Sequence, residues 1–570
     1  MRDLVASGSR GFLVLGSGKQ IILEITKRLF MLKPDWVESA SMFDFIIVGG
    51  GSAGCVLAAR LSQTDASVLL LEAGPRDTNP YIHMPVGFAY MTGGPLTWGY
   101  ETAPLKYANN RKSIYPQARV LGGGSSINAE IFTRGCPEDY DAWANDHGCK
   151  GWSAKDLQPY FIKSEGNIRL GGEKHGVDGP LTVSDNVPNR VSQAYVQGCM
   201  DIGMPFNPDF NSGAQAGAGF YQTTTRGGKR CSTVVAYLKP AMKRKNLTVK
   251  TDVTVLRILI EKSRAVGVEI IEGGQVKRFT AECEVIVTAG AIGSPKLLML
   301  SGIGPAKHLR EVNVEVKHDL PGVGQNFHDH CSTDVTWVLN GPHSYDKYKK
   351  KHMMLVAGLQ YLLFKSGPVA SNIVEAGAFW WGNKREEKTP DLQFHFLAGA
   401  GVEKGVGDVP GGNGATCNSY YTRPKSRGSV SLRSDNITDA PIIDPNSFAE
   451  PYDLERHIDA IKITQEVGRS RSMRKFVGQE HFPGAACKSK QDYVEMSRAS
   501  ARSSYHPVGT CKMGAARDVM AVVDPQCRVR GLEGLRVCDS SIMPAVVSSN
   551  TNAPTIAIAE KAADLIRGNR

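Results

Sequence analysis

A glycine-rich turn behind an apolar run constrains this chain more than any other feature. Phe45-Ile46-Ile47-Val48 is typical of a buried strand, and Gly49, Gly51 and Gly54 follow it with the spacing G-x-G-x-x-G. In a dinucleotide-binding turn the first glycine permits the tight turn. The second lets the backbone approach a pyrophosphate, and the third lets a helix pack on the strand. The run therefore predicts the start of a dinucleotide-binding βαβ unit.

The residues after this turn complete the unit. Cys55 to Leu61 is predicted as a helix whose first N–H groups face the phosphates, and Val68 to Leu71 is predicted as the second strand. Glu72 ends that strand 21 residues after Gly51, where a carboxylate accepts hydrogen bonds from ribose hydroxyls. The pattern fits NAD and FAD equally well.

Length and composition limit the class of protein. A chain of 570 residues with 41% hydrophobic and 22% charged residues is expected to form two packed domains. The basic residues behind the net charge of +11 are scattered, which favours a solvated surface over a nucleic-acid site. Apolar runs are too short to span a bilayer, so at most peripheral membrane association is expected.

Cysteine and histidine spacing argues against a metal site. The 12 cysteines include no C-x-x-C pair, and several lie in apolar runs, which favours a reducing, cytoplasmic compartment. His328 and His330 flank Asp329 without further ligands nearby, so they are interpreted as structural or substrate-domain residues and no metal is predicted.

The first 41 residues carry no motif and are expected to form a poorly ordered extension. Gly11 to Gly16 is too short for a secretory core, while Ile21 to Leu32 has the pattern of an amphipathic helix. Met42 lies just before the first strand and is an alternative natural start.

Nucleotide-type elements recur in the middle and at the end of the chain. A second glycine–serine turn lies at Ala118 to Asn128. Strands are predicted at 247–249, 253–258, 265–271 and 285–290, with a helix from Pro295. A last strand at 535–539 precedes a helix at 555–567. One dinucleotide domain interrupted by a second domain fits this order.

Four motifs in this order resemble the glucose–methanol–choline (GMC) family of FAD-dependent oxidoreductases. They are the opening fingerprint, the segment from Ala118 to Asp141, the segment from Gly290 to Gly304, and the carboxy-terminal pair His506-Pro507 and Asn552-Ala553-Pro554-Thr555. The resemblance implies an α/β fold in which a Rossmann-like FAD-binding domain is interrupted by an α+β substrate-binding domain with an antiparallel sheet and helices. The expected FAD-binding parts are 42–155, 229–315 and 496–570, and the expected substrate-domain parts are 156–228 and 316–495.

The resemblance also implies the residues that hold FAD. The ADP half is assigned to Gly49, Gly51, Ser52, Ala53, Gly54 and Glu72, with Val255 at the adenine. The flavin is assigned to Val120, Gly123, Asn128, Ala129 and Ile131, and closure of the site to Asp539, Asn552, Ala553 and Thr555. Some members attach the flavin to a histidine in the second motif. Ile127 stands there in this chain, which implies non-covalent FAD.

Alcohol oxidation is the reaction that the resemblance implies. His506 is the candidate base, because a neutral imidazole suits proton removal near neutral pH, and Asn552 is expected to donate a hydrogen bond to the substrate oxygen. Within the family the chain looks most like bacterial FAD-linked L-sorbose dehydrogenases, which implies a polyol or sugar alcohol. Candidate substrate contacts are Asn372, Glu375, Gln393 and His395.

Several alternatives stay open at this point. The substrate of a relative could be choline, an aliphatic alcohol or a polymeric glycol, and the electron acceptor could be a quinone, a dye or oxygen. A redox-inactive hydroxynitrile lyase that keeps FAD as a scaffold is a remote alternative. A non-catalytic FAD-binding interaction protein is disfavoured by the presence of both His506 and Asn552.

Overall fold

The structure is a computed structural model that describes residues 41–382, 386–402, 407–485 and 487–568. Ser41 opens the first strand, so the extension predicted for residues 1–41 lies, apart from Ser41, outside the described residues.

The helices and strands of the described residues are numbered in chain order. The helices are α1 (Ser52–Leu61), α2 (Pro80–His83), α3 (Phe88–Met91), α4 (Gly124–Ile127), α5 (Pro137–Asn145), α6 (Ala154–Ser164), α7 (Arg190–Asp201), α8 (Lys239–Ala241), α9 (Gly290–Leu300), α10 (Ala306–Glu311), α11 (Lys351–Phe364), α12 (Pro451–Gly468), α13 (Lys490–Ser500) and α14 (Asn552–Arg567). The strands are β1 (Ser41–Val48), β2 (Val68–Leu71), β3 (Tyr100–Glu101), β4 (Ile114–Tyr115), β5 (Glu165–Asn167), β6 (Leu181–Asp185), β7 (Gly217–Phe220), β8 (Gln222–Thr223), β9 (Thr225–Arg226), β10 (Lys229–Arg230), β11 (Leu247–Lys250), β12 (Thr254–Glu261), β13 (Arg264–Glu272), β14 (Gln275–Val287), β15 (Ile303–Gly304), β16 (His318–Asp319), β17 (Cys331–Leu339), β18 (Ala376–Trp380), β19 (Leu392–Leu397), β20 (Gly414–Tyr421), β21 (Ser429–Ser431), β22 (Ile442–Asp444), β23 (Val477–Phe482), β24 (Arg502–Ser503) and β25 (Leu535–Val537).

The first large sheet contains β1 and β2, the two strands predicted on either side of the first glycine turn. Its order is β11-β2-β1-β14-β13-β12, with β25 also paired to β14. β11, β2, β1, β14 and β25 run parallel. β13 pairs antiparallel with β14, and β12 pairs antiparallel with β13. β2 is buried along its whole length, as expected for a parallel strand that is covered on both faces.

The second large sheet is antiparallel, in the order β23-β17-β20-β19-β18-β7, with β24 also paired to β17. Successive side chains on each strand point to opposite faces. One face carries Trp337, Phe394 and Cys417, which form a core cluster with Ile458 and Ile461 of α12. The other face is polar and lines the cavity described below.

The predicted α/β fold with a second, antiparallel sheet is confirmed. The strands predicted at 247–249 and 265–271 are confirmed as β11 and β13. The strand predicted at 285–290 is the end of β14, which stops at Val287, because Gly290 already begins α9. The domain boundaries stay a prediction. The strands of the second sheet come from 217–220, 331–421, 477–482 and 502–503.

The helix predicted from Pro295 begins earlier, at Gly290. Its first turn is stabilised by Asp539, whose Oδ2 accepts a hydrogen bond of 2.8 Å from the backbone N–H of Gly290 and one of 2.5 Å from Ser294 Oγ. The capping carboxylate lies 249 residues away in sequence, so local sequence could not reveal it.

Candidate active site

The glycine turn after β1 has the backbone geometry that its sequence predicts. Gly49 adopts φ +109°, and a Cβ there would lie 2.5 Å from the carbonyl oxygen of Thr288. A Cβ on Gly54 would lie 1.9 Å from the carbonyl oxygen of Gly49, so only glycine lets α1 pack this close. Gly51 is the N-cap of α1 and has no side chain to cap it. The first N–H groups of α1 are therefore left for an anionic group.

Glu72 lies beside this turn. Its Oε2 accepts a hydrogen bond of 2.8 Å from the N–H of Gly50, and its Oε1 accepts one of 2.8 Å from the N–H of Gly74. Burial raises the pKa of the Glu72 carboxyl, and these two hydrogen bonds oppose that rise. The carboxylate is thus held at the end of β2, in the wall of the cavity.

The second glycine turn packs directly on the first. Gly123 has φ +52°, and a Cβ there would lie 2.7 Å from the Cα of Gly51. The N–H of Gly122 donates to the carbonyl of Gly50 at 2.7 Å. Two glycine turns that are 72 residues apart in sequence (123 minus 51) therefore form one cradle, which larger residues would fill.

The start of α14 reaches the same cradle. Oδ1 of Asn552 accepts a hydrogen bond of 2.8 Å from Ser52 Oγ at the start of α1. The first turns of the two helices thus converge on one point, where their N-terminal dipole ends both favour negative charge.

A continuous cavity of about 2300 Å³, including its solvent-open part, joins these elements. Most residues predicted to bind FAD lie in its wall: Gly49, Gly51, Ser52, Ala53, Glu72, Gly123, Asn128, Ala129, Ile131, Val255, Asp539, Asn552 and Thr555. Gly54, Val120 and Ala553 are buried, but the cavity wall does not include them. His506 lies in the wall as well, so one cavity brings together the predicted cofactor residues and the predicted base.

His506 is held on three sides. Its backbone N–H donates to Oδ1 of Asp329 at 2.9 Å, its Nδ1 lies 3.0 Å from Nδ1 of His330, and its Nε2 lies 3.1 Å from Nδ2 of Asn550. Burial lowers the pKa of His506 well below its ordinary value of 6.5, and the nearby His330 and His395 add to that effect. The imidazole is therefore neutral at pH 7.

The neighbours of His506 determine which of its nitrogens carries the proton. Nε2 of His330 lies 3.1 Å from the carbonyl oxygen of Thr422, which can only accept, so this nitrogen carries the proton. Burial lowers the pKa of His330 to about 3, so the ring is neutral and its Nδ1 is an acceptor. Nδ1 of His506 must then donate to it, which leaves the lone pair of the ring on Nε2.

The structure pairs His506 with Asn550 rather than with Asn552, the residue predicted from sequence. Oδ1 of Asn550 accepts hydrogen bonds of 3.0 Å from Thr133 Oγ1 and from Gln393 Nε2, which turns Nδ2 toward His506. Asn552, two residues later, is the first residue of α14 and bonds Ser52 instead. The sequence contains both amides, and only the path of the turn before α14 distinguishes them.

The His328–His330 motif has two different uses. The ring of His328 lies between backbone groups, with Nδ1 2.6 Å from the carbonyl of Asn326 and Nε2 accepting from the N–H of Val546 at 2.9 Å. His330 contacts the candidate base. Sequence reasoning missed this contact, because His330 and His506 lie 176 positions apart and no local pattern links them.

Asp329 helps to hold the segment that carries His506. Its Oδ2 accepts hydrogen bonds from Tyr115 and Ser503, and its Oδ1 accepts the backbone hydrogen bond from His506. Burial raises the pKa of Asp329 to about 6. The carboxylate is therefore mainly ionised at pH 7 and lies next to the segment that carries the base.

The polar face of the second sheet forms the far wall of the cavity. Asp334, Asn418 and His395 lie opposite one another on β17, β20 and β19. The Asp334 carboxylate is paired with Arg502 at 3.0 Å and accepts a hydrogen bond of 2.8 Å from Asn418 Nδ2. This wall is rich in hydrogen-bonding groups, and its carboxylate is already neutralised.

Two of the other candidate substrate contacts are used internally. Both oxygens of Glu375 accept hydrogen bonds, from Tyr345 and Ser371 on one side and from Ser192 and the N–H of Asn189 on the other. Asn372 donates to the carbonyl of Ala129 at 2.6 Å. His395 lines the cavity directly. Gln393 does not line it, but Gln393 Nε2 donates a hydrogen bond to Oδ1 of Asn550, which does.

Family models decide the identity of this architecture. A model described as GMC oxidoreductase matches residues 43–332, and a second with the same description matches residues 424–559. The chain belongs to the GMC oxidoreductase family. Its cofactor is FAD, and it is an oxidoreductase that acts on CH–OH groups.

Relatives of this family align over most of the chain. It is 42% identical to an alcohol dehydrogenase [acceptor] of Pseudomonas putida and to an oxygen-dependent choline dehydrogenase of Sinorhizobium fredii, each over 92% of this chain and 96% of the relative. Human mitochondrial choline dehydrogenase is 41% identical over 93% and 91%. Among solved structures, pyridoxine 4-oxidase from Mesorbium loti has a TM-score of 0.83 at 29% identity, covering 92% of this chain and 98% of that one.

The residues present fit FAD. The glycine cradle and the two helix starts suit a pyrophosphate, and the Glu72 carboxylate suits ribose hydroxyls. Ile127, the residue at the place of the histidyl link in some members, is buried against the cavity and cannot form a covalent bond to a flavin. Non-covalent binding remains the expectation.

Proposed function

We propose that the chain oxidises a polyhydroxylated alcohol, such as sorbose or a related polyol, to the carbonyl, with His506 as the base. The observation that carries the proposal is the lone pair on His506 Nε2 at the cavity wall, facing the Asn550 amide. FAD supplies the two-electron acceptor when it is bound. The protein must hold the substrate hydroxyl and accept its proton.

The proton step uses groups that the structure already aligns. Without substrate, Nε2 accepts a hydrogen bond from Asn550 Nδ2. A bound substrate hydroxyl takes the place of this bond, so that His506 Nε2 takes the hydroxyl proton while Asn550 Nδ2 donates a hydrogen bond to the substrate oxygen and orients it. As His506 becomes positively charged, its Nδ1–H bond to His330 becomes charge-assisted and therefore stronger. His330 is thus a positioning residue that also stabilises the protonated base.

The polar far wall supports a hydroxylated substrate. A long aliphatic alcohol would displace water from Asp334, Asn418 and His395 without replacing the hydrogen bonds that water makes to their remaining polar atoms, which costs free energy. A quaternary ammonium ion is the second candidate, since several relatives are named choline dehydrogenases. The ion pair between Asp334 and Arg502 leaves this carboxylate less able to hold a cation.

The test of the substrate class is anaerobic reduction of the bound flavin. Sorbose or sorbitol should bleach the flavin of the purified holoenzyme faster than choline or a long-chain alcohol. Turnover with a phenolindophenol dye should exceed turnover with oxygen. Asn418→Leu should lower kcat/KM for the polyol about tenfold or more, the worth of one hydrogen bond to a polar substrate, without harming oxidation of the aliphatic alcohol. Faster bleaching by choline, or equal rates with oxygen and dye, would refute this assignment.

A matched pair of variants separates the two candidate asparagines. Asn550→Ala should slow flavin reduction about ten- to a hundredfold, because one hydrogen bond to a developing alkoxide is worth about 1.5–3 kcal/mol. Asn552→Ala removes the bond to Ser52 and should weaken FAD retention more than it slows reduction of the flavin that stays bound. Stopped-flow rates and FAD content per polypeptide measure both effects. The reverse pattern would return the role to Asn552.

A further inference from the structure

Helix α11 exposes an apolar surface to solvent. It packs on the rest of the protein through Ala357 and Tyr361, the two side chains in it that are buried. Seven large apolar side chains of the helix are 49 to 71% exposed: Met354, Leu355, Val356, Leu359, Leu362, Leu363 and Phe364. We call these seven residues the α11 apolar surface.

The arrangement reverses the usual amphipathic pattern. A surface helix normally buries its apolar face and exposes its polar one. At 3.6 residues per turn, the buried Ala357 and Tyr361 share one side of α11. The side facing away from the protein carries four leucines: Leu355, Leu359, Leu362 and Leu363. An apolar patch this continuous is typical of an interaction site, since scattered exposed residues would not line one helix.

Basic residues stand at both ends of this surface. Lys350 and Lys351 lie at its beginning, Lys365 follows its last residue, and α11 itself contains no acidic residue. Apolar side chains flanked by lysines complement a bilayer with anionic headgroups, where leucines enter the acyl boundary and ammonium groups meet phosphates. A symmetric pair of α11 helices from two copies would instead bring like charges together in either orientation.

The helix is too short to cross a bilayer. Its 14 residues correspond to about 21 Å at the rise of an α-helix, less than the hydrocarbon thickness. Within the ranges that the structure describes, no helix combines the length and hydropathy of a membrane span. The helix can therefore lie on a membrane but not span it.

The position of α11 places the cavity close to such a membrane. Tyr361 Oη donates to the carbonyl of His83 at 3.2 Å, so α11 packs on α2. α2 leads into α3, whose Phe88 lines the cavity. Tyr81 and Tyr90 in this segment are also exposed, and their rings lie 5.3 Å apart. Tyrosine is enriched at membrane–water interfaces.

We propose that the α11 apolar surface binds the face of an anionic lipid bilayer, with the helix parallel to the membrane. The part of the cavity wall that Phe88 of α3 forms would then lie on the membrane side of the protein. This proposal concerns a surface outside the catalytic residues and does not depend on the identity of the alcohol.

Vesicle flotation of the FAD-loaded full chain tests the proposal. The protein should float with vesicles of equal parts phosphatidylcholine and phosphatidylglycerol, and less with phosphatidylcholine alone. High salt should reduce the difference between the two, because it screens the lysines. The variant Leu355→Glu/Leu359→Glu/Leu363→Glu should bind at least tenfold less, since it lacks three leucines that would enter the bilayer. The control Ile168→Glu/Val187→Glu changes two other exposed apolar residues and should bind like the wild type.

Two further readouts keep the outcome unambiguous. FAD content and flavin reduction should be unchanged in the α11 variant, which shows that it is folded. Lys350→Glu/Lys351→Glu/Lys365→Glu should lose the preference for phosphatidylglycerol. Wild-type protein that does not float with either vesicle, or an α11 variant that floats like the control, would overturn the proposal. The proposal would also be overturned if the wild type were a dimer that does not bind vesicles and that the α11 substitutions dissociate, because the surface would then serve self-association.

Discussion

His506→Ala should keep its FAD and slow anaerobic flavin reduction by about a hundred- to ten-thousand-fold, the usual contribution of a general base. The side chain lies at the cavity wall beside Asn550, while the residues of the glycine cradle are far from it in sequence and do not depend on it. Stopped-flow mixing of the holoenzyme with substrate measures the rate, and FAD content per polypeptide is the control. Reduction at the wild-type rate near neutral pH would remove His506 from the mechanism.

The same base predicts a pH profile for the wild type. His506 acts only when it is neutral, and burial lowers its pKa well below 6.5. Its activity is therefore present above the lowered pKa and is lost as the pH falls through it. The rate of flavin reduction should stay constant as the pH is lowered to 6.5. A decline with an apparent pKa at or above 6.5 would show that another group, or a differently solvated His506, controls the step.

His330→Phe should have the second largest effect, a loss of about tenfold to a thousandfold in flavin reduction. Phenylalanine preserves the packing against Tyr420, whose ring centroid is 5.1 Å from that of His330, but removes the acceptor for His506 Nδ1–H. The base then loses one of the two partners that select its tautomer, and its protonated form loses a charge-assisted bond. In the serine-protease triad, a partner that leaves the wrong histidine tautomer costs about ten-thousand-fold.

A conservative variant distinguishes positioning from packing. In His330→Asn, the amide oxygen occupies a place similar to Nδ1 and can accept the same hydrogen bond. We expect it to recover a large part of the rate that His330→Phe loses, with equal FAD content in both variants. If the two are equally slow although both retain FAD and their thermal stability, His330 acts through packing alone.

Much of the FAD-binding sheet could be predicted from sequence, because its signals are local. The apolar runs of β1 and β2 and the glycines between them lie within 28 consecutive residues (72 minus 44), and their backbone geometry follows from neighbouring residue types. The bounds of β2 were predicted correctly, and those of β11 to within one residue. The start of α9 was predicted wrongly, because the carboxylate that caps this helix comes from Asp539, far away in sequence.

The active site shows where local signals end. The candidate base was predicted from the resemblance of His506-Pro507 to a known motif. Its partners are Asp329 and His330 before β17 and Asn550 before α14, and His330 is in turn fixed by Thr422 after β20. Which asparagine faces His506 is determined in the turn before α14, where Thr133 and Gln393 donate hydrogen bonds to Oδ1 of Asn550. Those contacts exist only after the two sheets have packed together.

The sequence by itself predicted the turn after β1, because steric limits on glycine act over a few neighbouring residues. Its motifs, through their resemblance to the GMC family, implied FAD. Folding in three dimensions decided the tautomer of His506, the amide that faces it, the neutralised carboxylate in the far wall and the outward apolar face of α11. Each of these depends on hydrogen bonds or packing between segments far apart in the chain, and no local pattern encodes such pairings.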